Sequence, residues 1–419
     1  MERLDGVVRP YAWGSRTAIA ALQGRPMPSD EPEAELWLGA HPADPSLLAG
    51  ERPLTDEIAA DPAGVLGESN VSKFGARLPF LLKVLAADQP LSLQAHPAPS
   101  QAAEGFAREN KAGVSHDAPE RNYVDASHKP ELLCAVGEFE ALCGFRDPRV
   151  AADAIARLGV AGLNSVVAQL RQDDVAQGLR EAVTTLLTLP PDHRAELVRQ
   201  AATAAAELAD AEEPDGDDYA MVVDLGKRYP SDTGAIVALL LNHVHLRPGE
   251  AIYMPAGNLH AYLRGVGVEI MAASDNVLRG GLTPKHIDVP ELLRVLDFEI
   301  LDDPRVDPCE PSPGTDEWRV PAPEFRLTRQ RLDTSASQRP LPQDRGPAVI
   351  LCWSGQVRLD DGTSPLTLSP GQAAFARADA PEILASGYGE LYCATLGTAE
   401  ETGDQAADVA EIDRSDEVD

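Results

Sequence analysis

The sequence predicts a mainly β protein of two jelly-roll barrels, the first interrupted by a helical insertion. Three observations lead there. Short apolar runs punctuated by Gly and Pro fill both ends of the chain. A block rich in Ala and Leu, from about residue 148 to 210, separates two β-type regions. The second β region holds "LRPGEAIYMPAGNLHA", and "LSPGQAAFARADAPEI" matches it in register further on, so one barrel pattern is written twice. The expected division is a split first barrel over 1–146 and 236–300, a helical insertion over 147–235, a linker over 301–318, a second barrel over 319–398 and an acidic tail over 399–419. The tail alternates acids with small residues and reads as disordered.

Each element has a local reason. "PFLLKVLAA" (79–87) and "LSLQA" (91–95) read as strands, with "QP" marking the turn between them. "SQAAEGFARENKAG" (100–113) reads as a helix capped by Ser100 and ended by Gly113. "KPELLCAVGEFEALCGFR" (129–146) returns to strands. Asp147-Pro148, a capping residue followed by Pro at the first helical position, opens four or five short helices. The acidic run to residue 218 is a solvated connector. Strands resume in "GAIVALLLNHVHLRPGEAIYMPAGNLHAYLRG" (234–265) and "VGVEIMAAS" (266–274), and "TPKHIDVPELLRVLDF" (283–298) is a short helix. After the Pro-rich 302–318, "FRLTRQRL", "AVILCWSGQVRLDD", "SPLTLSPGQAAFARA" and "ELYCATLG" supply the second set of strands.

Composition narrows the function. A formal charge of -31 argues against nucleic acid and anionic membrane as partners, because a phosphate backbone needs a basic footprint. No run is long and apolar enough to span a bilayer, and the N-terminus has no signal-peptide core. Five scattered cysteines, none in a C-x-x-C pair, fit a reduced cytoplasmic protein. A monomer acting on a small molecule is expected.

The chemistry sits in two stretches. Gly249, Pro255, Gly257 and His260 follow a G-x5-P-x-G-x2-H spacing that resembles the second motif of cupins, small barrels that hold a metal in their mouth. Arg264 stands where cupins usually carry Asn. Gln94 and His96 share one face of a strand, as residues i and i+2 do, and Glu131 offers the carboxylate that a weak Gln ligand needs. Two His, one Gln and one Glu make a nitrogen/oxygen site that suits catalytic zinc. In the second barrel Arg377, Asp379 and Glu382 replace Pro255, Gly257 and His260, so that copy has no metal motif and one zinc per chain is expected.

Longer segments carry a sharper resemblance. "YAWGS" (11–15), "ELWLGAHP" (35–42), "PFLLKVLAADQPLSLQAHP" (79–97), "HKPELLCAV" (128–136), "GFR" (144–146), "PAGNLHAYL" (255–263) and "MAASDNVLRGGLTPKH" (271–286) resemble type I phosphomannose isomerases in order. The resemblance implies interconversion of mannose 6-phosphate and fructose 6-phosphate, with zinc on Gln94, His96, Glu131 and His260. It places the family's catalytic arginine on Arg279, turns Lys285 toward substrate, and makes Lys129 and Lys83 phosphate or hydroxyl contacts.

Moving a proton between C1 and C2 through an enediol(ate) needs a Lewis acid, a base and cations for the phosphate. Arg279 serves either the phosphate or the enediolate. Glu269, in an apolar strand, is the candidate base, because burial raises a carboxyl pKa; an edge carboxylate in water is the alternative. Tyr262 shares the His260 face and either leans into the site or packs, and Ser92 points the way Gln94 does. His243 and His245 form a rival His-x-His just before the second motif. Other readings are an Fe(II) cupin oxygenase and a non-catalytic phosphosugar-binding cupin.

Overall fold

A computed structural model describes residues 1–209, 216–333, 338–342 and 346–397. Two antiparallel sheets dominate it, and most of the helical residues lie between residues 148 and 240. In the first sheet the order is Arg305–Val306, Ala251–Met254, Glu131–Phe145, His260–Ala272, Phe80–Ala87, Glu35–Leu38 and Val7–Arg9. Leu93–Ala95 pairs with both His260–Ala272 and Leu278–Gly281, and Leu241–Leu246 lies along Glu131–Phe145. The second sheet runs Cys309–Ser312, Thr315–Trp318, Arg326–Leu332, Leu384–Thr395, Ala348–Asp360, Ala373–Ala376, Glu2–Asp5, Leu47–Leu48 and Arg52–Pro53. The fold is thus mainly β with a helical insertion, as the sequence predicts.

The first insertion helix, Pro148–Arg157, starts where its signal lies: Asp147 Oδ1 accepts from the Arg149 amide at 2.8 Å. Its Ala151, Ala152 and Ile155 face one core with Leu179, Val183 and Leu186 of the helix Val175–Leu187. Leu93, Ala95, Leu142, Ala261 and Leu278 of the first sheet enter the same core. Burying each such leucine contributes about 1.5–3 kcal/mol. The insertion therefore packs on the outer face of the strand whose other face carries Gln94.

Several expectations change. Residues 234–240 are a turn of α-helix followed by a 3-10 turn, and the strand begins only at Leu241. The helix at 100 starts at Pro99, and its cap is the Gln101 side chain accepting from the Ala98 amide at 2.9 Å, so Ser100 is not the cap. The connector at 210–215 lies outside the described residues, but 216–218 already belong to the helix Gly216–Arg228. The expected linker carries paired strands at 305–306, 309–312 and 315–318, because its apolar and β-branched residues find sheet edges. Glu2–Asp5, expected in the first barrel, pairs with Ala373–Ala376 of the second sheet. The expected tail from 399 lies outside the described residues.

Candidate active site

Gln94 and His260 are register partners on neighbouring strands, and the side chains of directly opposed residues leave the sheet on the same side. Glu131 begins the long strand beside His260–Ala272 and pairs with Met271. The turn before His260 needs Gly257, at φ +80°, where an added Cβ would come within 3.0 Å of Asp297. The Gly257 amide donates to the His96 carbonyl at 2.8 Å, so the two histidine segments are tied together.

The structure brings His96, Glu131, His260 and Gln94 to one place. The three charged or ionisable ligands are 1%, 2% and 0% exposed in that order. His96 Nε2 lies 3.3 Å from Glu131 Oε1, His260 Nε2 lies 3.3 Å from Glu131 Oε2, and Gln94 Nε2 is 3.4 Å from His260 Nε2. Each imidazole gives its other nitrogen to a backbone carbonyl: His96 Nδ1 to Asn276 at 2.7 Å and His260 Nδ1 to Asn258 at 3.0 Å. Those bonds turn both Nε2 lone pairs inward. Burial, then the Lys129 charge, push the His96 pKa down to about 4, so its ring is neutral. Burial opposes ionisation of Glu131, but Lys129 and the histidines outweigh it and hold the carboxyl well below the usual range.

His96 Nε2 and Glu131 Oε2 are buried without a well-formed hydrogen bond. Inward imidazole nitrogens facing carboxylate oxygens lack a shared cation, and a zinc ion, which takes nitrogen and oxygen ligands, would supply it. The residues present fit that ion.

Beyond this cluster a cavity of about 510 Å³ opens, a size usual for small-molecule sites. Gln94, Glu131, Lys83, Glu269, Arg279 and Lys285 line it, with Ser92, Lys129 and Tyr262. Lys83 lies opposite both Glu269 and Trp37 in the sheet, and its Nζ is 3.3 Å from Glu269 and 3.5 Å from Glu35. Lys129 Nζ is 2.8 Å from Glu131. Both lysines, expected at phosphate or hydroxyl groups, are thus held by carboxylates. Burial raises the Glu269 pKa most; Lys83 opposes, and Glu131 and Glu35 reinforce it. Tyr262 has its hydroxyl buried without a partner, and burial, then Glu269, raise its pKa.

Arg279 and Lys285 differ. Among the described residues no carboxylate lies within ion-pair distance of either, in a chain of charge -31. Burial alone lowers the half-buried Arg279, and partial burial with the like charge of Arg279 lowers Lys285, which sits exposed at the rim. Arg279 is the register partner of Gln94, so its side chain leaves the sheet beside the metal-site residue. The segment between them contains Leu282 at φ +56°, an uncommon conformation for a leucine and one that clusters at functional sites.

Sequence reasoning missed several supports. Glu35 accepts from Trp37 Nε1 at 2.7 Å besides pairing Lys83; the polar Glu35 in "ELWL" was its signal. Asn276 is 0% exposed, and its side chain clamps the backbone of residues 124–127. Nothing in its neighbours marks that role. Tyr229 lines the cavity from the insertion side, donating to the Pro90 carbonyl at 3.3 Å; Trp13 and Trp37, which the sequence offers as either mouth-lining or packing residues, line it too. His243 and His245 lie elsewhere. In the second sheet Gly371 keeps the positive φ of Gly249, +75° against +91°, while Glu382 is exposed and Arg377 pairs with Glu57, Asp61 and Asp379.

Comparison with known proteins gives one answer. Residues 1–148 match the family model "Phosphomannose isomerase type I, catalytic domain". The mannose-6-phosphate isomerase of Escherichia coli K12 is 38% identical over 400 residues, covering 93% of this chain and 98% of the relative. That of Saccharomyces cerevisiae is 30% identical over 409 residues, covering 89% and 92%. A crystal structure of mannose 6-phosphate isomerase bound with zinc and yttrium superposes with a TM-score of 0.87 at 37% identity, covering 95% of this chain and all of the other. A zinc-bound holo structure gives 0.86 at the same identity.

Proposed function

Because the chain belongs to the type I phosphomannose isomerase family and isomerises mannose 6-phosphate, we propose how its residues divide that work. Gln94, His96, Glu131 and His260 hold one zinc ion. The observation that carries this is the pair of inward-facing imidazole nitrogens, each 3.3 Å from an oxygen of the buried Glu131. Zinc there supplies a Lewis acid for the negative charge that develops on the sugar oxygens.

Glu269 moves the proton between C1 and C2. A base for this step needs a pKa above that of an ordinary carboxylate, and burial with two neighbouring carboxylates raises it. Lys83 holds Glu269 and Glu35 in place and keeps the buried row from carrying two unopposed charges. Arg279, beside Gln94, donates to the oxygen of the enediolate. Its register partnership with Gln94 supports this role over the phosphate. Lys285, exposed at the rim, takes the phosphate. The hydroxyls of Ser92 and Tyr262 contact the sugar, and Lys129 keeps Glu131 ionised.

The two sheets support a split metal-bearing barrel with a helical insertion and a second barrel without metal ligands, amended by the exchange of Glu2–Asp5. No helix among the described residues is long and apolar enough to cross a membrane. All five cysteines are unpaired, which supports a cytoplasmic setting, and we propose a monomer. A coupled assay for fructose 6-phosphate, run before chelation, after it and after zinc return, tests the reading. Activity should vanish and come back. Undiminished turnover by metal-free protein would remove the site as drawn.

A further inference from the structure

The chain's single His-x-His, His243 and His245, takes no part in the catalytic cavity. We propose that it forms, with Glu140, a second and exchangeable site for a divalent transition cation such as zinc, separate from the resident zinc.

The two histidines lie i and i+2 on the strand Leu241–Leu246, so they share a face. Glu140 is the direct register partner of His245 on the neighbouring strand and joins that face. Their ligand atoms all lie within 4.8 Å of one another, and the two rings are 4.6 Å apart. His243 Nε2 sits 2.9 Å from Glu140 Oε1, and its Nδ1 is 2.9 Å from Asp218 Oδ1 on the helix Gly216–Arg228. Asp218 thereby fixes the ring with Nε2 toward Glu140, as a carboxylate does behind a metal-bound imidazole. Two imidazoles and a carboxylate, with water completing the shell, suit zinc.

The surroundings admit an ion. A cavity of about 440 Å³ between barrel and helix reaches these residues, and Asp88, Asp217 and Asp224 on its wall add negative charge. Three cations oppose it, the first being Arg146, whose Nη1 holds Asp218 Oδ2 at 2.6 Å. Arg228 is also on the wall, and Arg264 Nε holds Glu140 Oε2 at 2.6 Å; the Arg264 side chain is 73% exposed, so it can swing into water. The proton on His243 Nε2 occupies the ion's place, and each ion bound releases that proton. Only Pro90 is shared between this cavity and the catalytic one. An ion here would fasten the insertion to the barrel through Asp218.

The test uses the full chain with its resident zinc, dialysed against buffered free zinc, with metal content read by mass spectrometry and proton release by a pH indicator. The wild type should take up a second equivalent and release a proton, with a rise in Tm. His245→Ala, at an exposed position, should keep the first equivalent and full isomerase activity but bind the second at least about tenfold more weakly, and Asp218→Asn should also weaken it about tenfold. A wild type that stops at one equivalent in millimolar free zinc overturns the proposal. So does a His245→Ala protein that binds the second equivalent as tightly as the wild type.

Discussion

Replacing Arg279 with alanine separates catalysis from stability in one variant. The guanidinium leaves the sheet beside Gln94 and has no carboxylate partner among the described residues. A donor aimed at a developing oxyanion is worth about 3 kcal/mol, which is a loss on the order of 10²-fold in kcat. An interaction made only in the transition state lowers kcat and kcat/KM together and leaves KM nearly unchanged. The fold should not suffer, because a half-buried cation without a partner costs desolvation that nothing local offsets. The coupled isomerase assay and a thermal melt of the same preparation measure both effects. A KM raised about tenfold with kcat hardly altered would move Arg279 to the phosphate. A sharply lowered Tm would make it structural.

Other outcomes follow from the same geometry. Lys285→Ala should raise KM for mannose 6-phosphate about tenfold with little change in kcat, since a rim lysine binds ground and transition states alike. Glu269→Gln should cut kcat by roughly 10²-fold or more while zinc content by mass spectrometry stays at the wild-type value. His260→Ala and Gln94→Ala should each lose zinc and activity with the circular dichroism spectrum kept; an active, zinc-replete His260→Ala protein would contradict the ligand set. The proton on His243 should make stability pH-dependent. Burial opposes its charge, yet hydrogen bonds to Asp218 and Glu140 push its pKa up from 6.5 to about 9. That rise corresponds to about 3 kcal/mol, present in full below pH 6.5 and lost as pH climbs through about 9. Urea unfolding across that range should show the slope in wild type and not in His243→Gln.

Much of the site was legible because its residues come as patterns. Gln94 and His96 announce themselves by strand alternation, and His260 by the glycine turn before it. Glu269 stood out as the one acid in an apolar strand. What escaped were partnerships made across the sheet. Lys83 looks like a free cation in "PFLLKVLAA", but register sets Glu269 opposite it and the folded sheet brings Glu35 within 3.5 Å. Asn276 supports His96 through its backbone carbonyl, which carries no residue-type signal at all. "GAIVALL" reads as strand on composition, but packing against the insertion core makes it helical. The strand at Glu2–Asp5 was assigned by proximity in sequence, and its true partner lies some 370 residues away.

That strand sets an order of assembly. Glu2–Asp5 precedes the first sheet in the chain, yet Ala373–Ala376, against which it pairs, follows it. The second sheet cannot finish until the whole first barrel and its insertion have been synthesised. At the join the Met1 nitrogen lies 3.1 Å from Asp361 Oδ2, with both side chains almost wholly buried. The second sheet cannot be cut out as a contiguous piece of chain, because Glu2–Asp5, Leu47–Leu48 and Arg52–Pro53 join strands that begin only at Cys309.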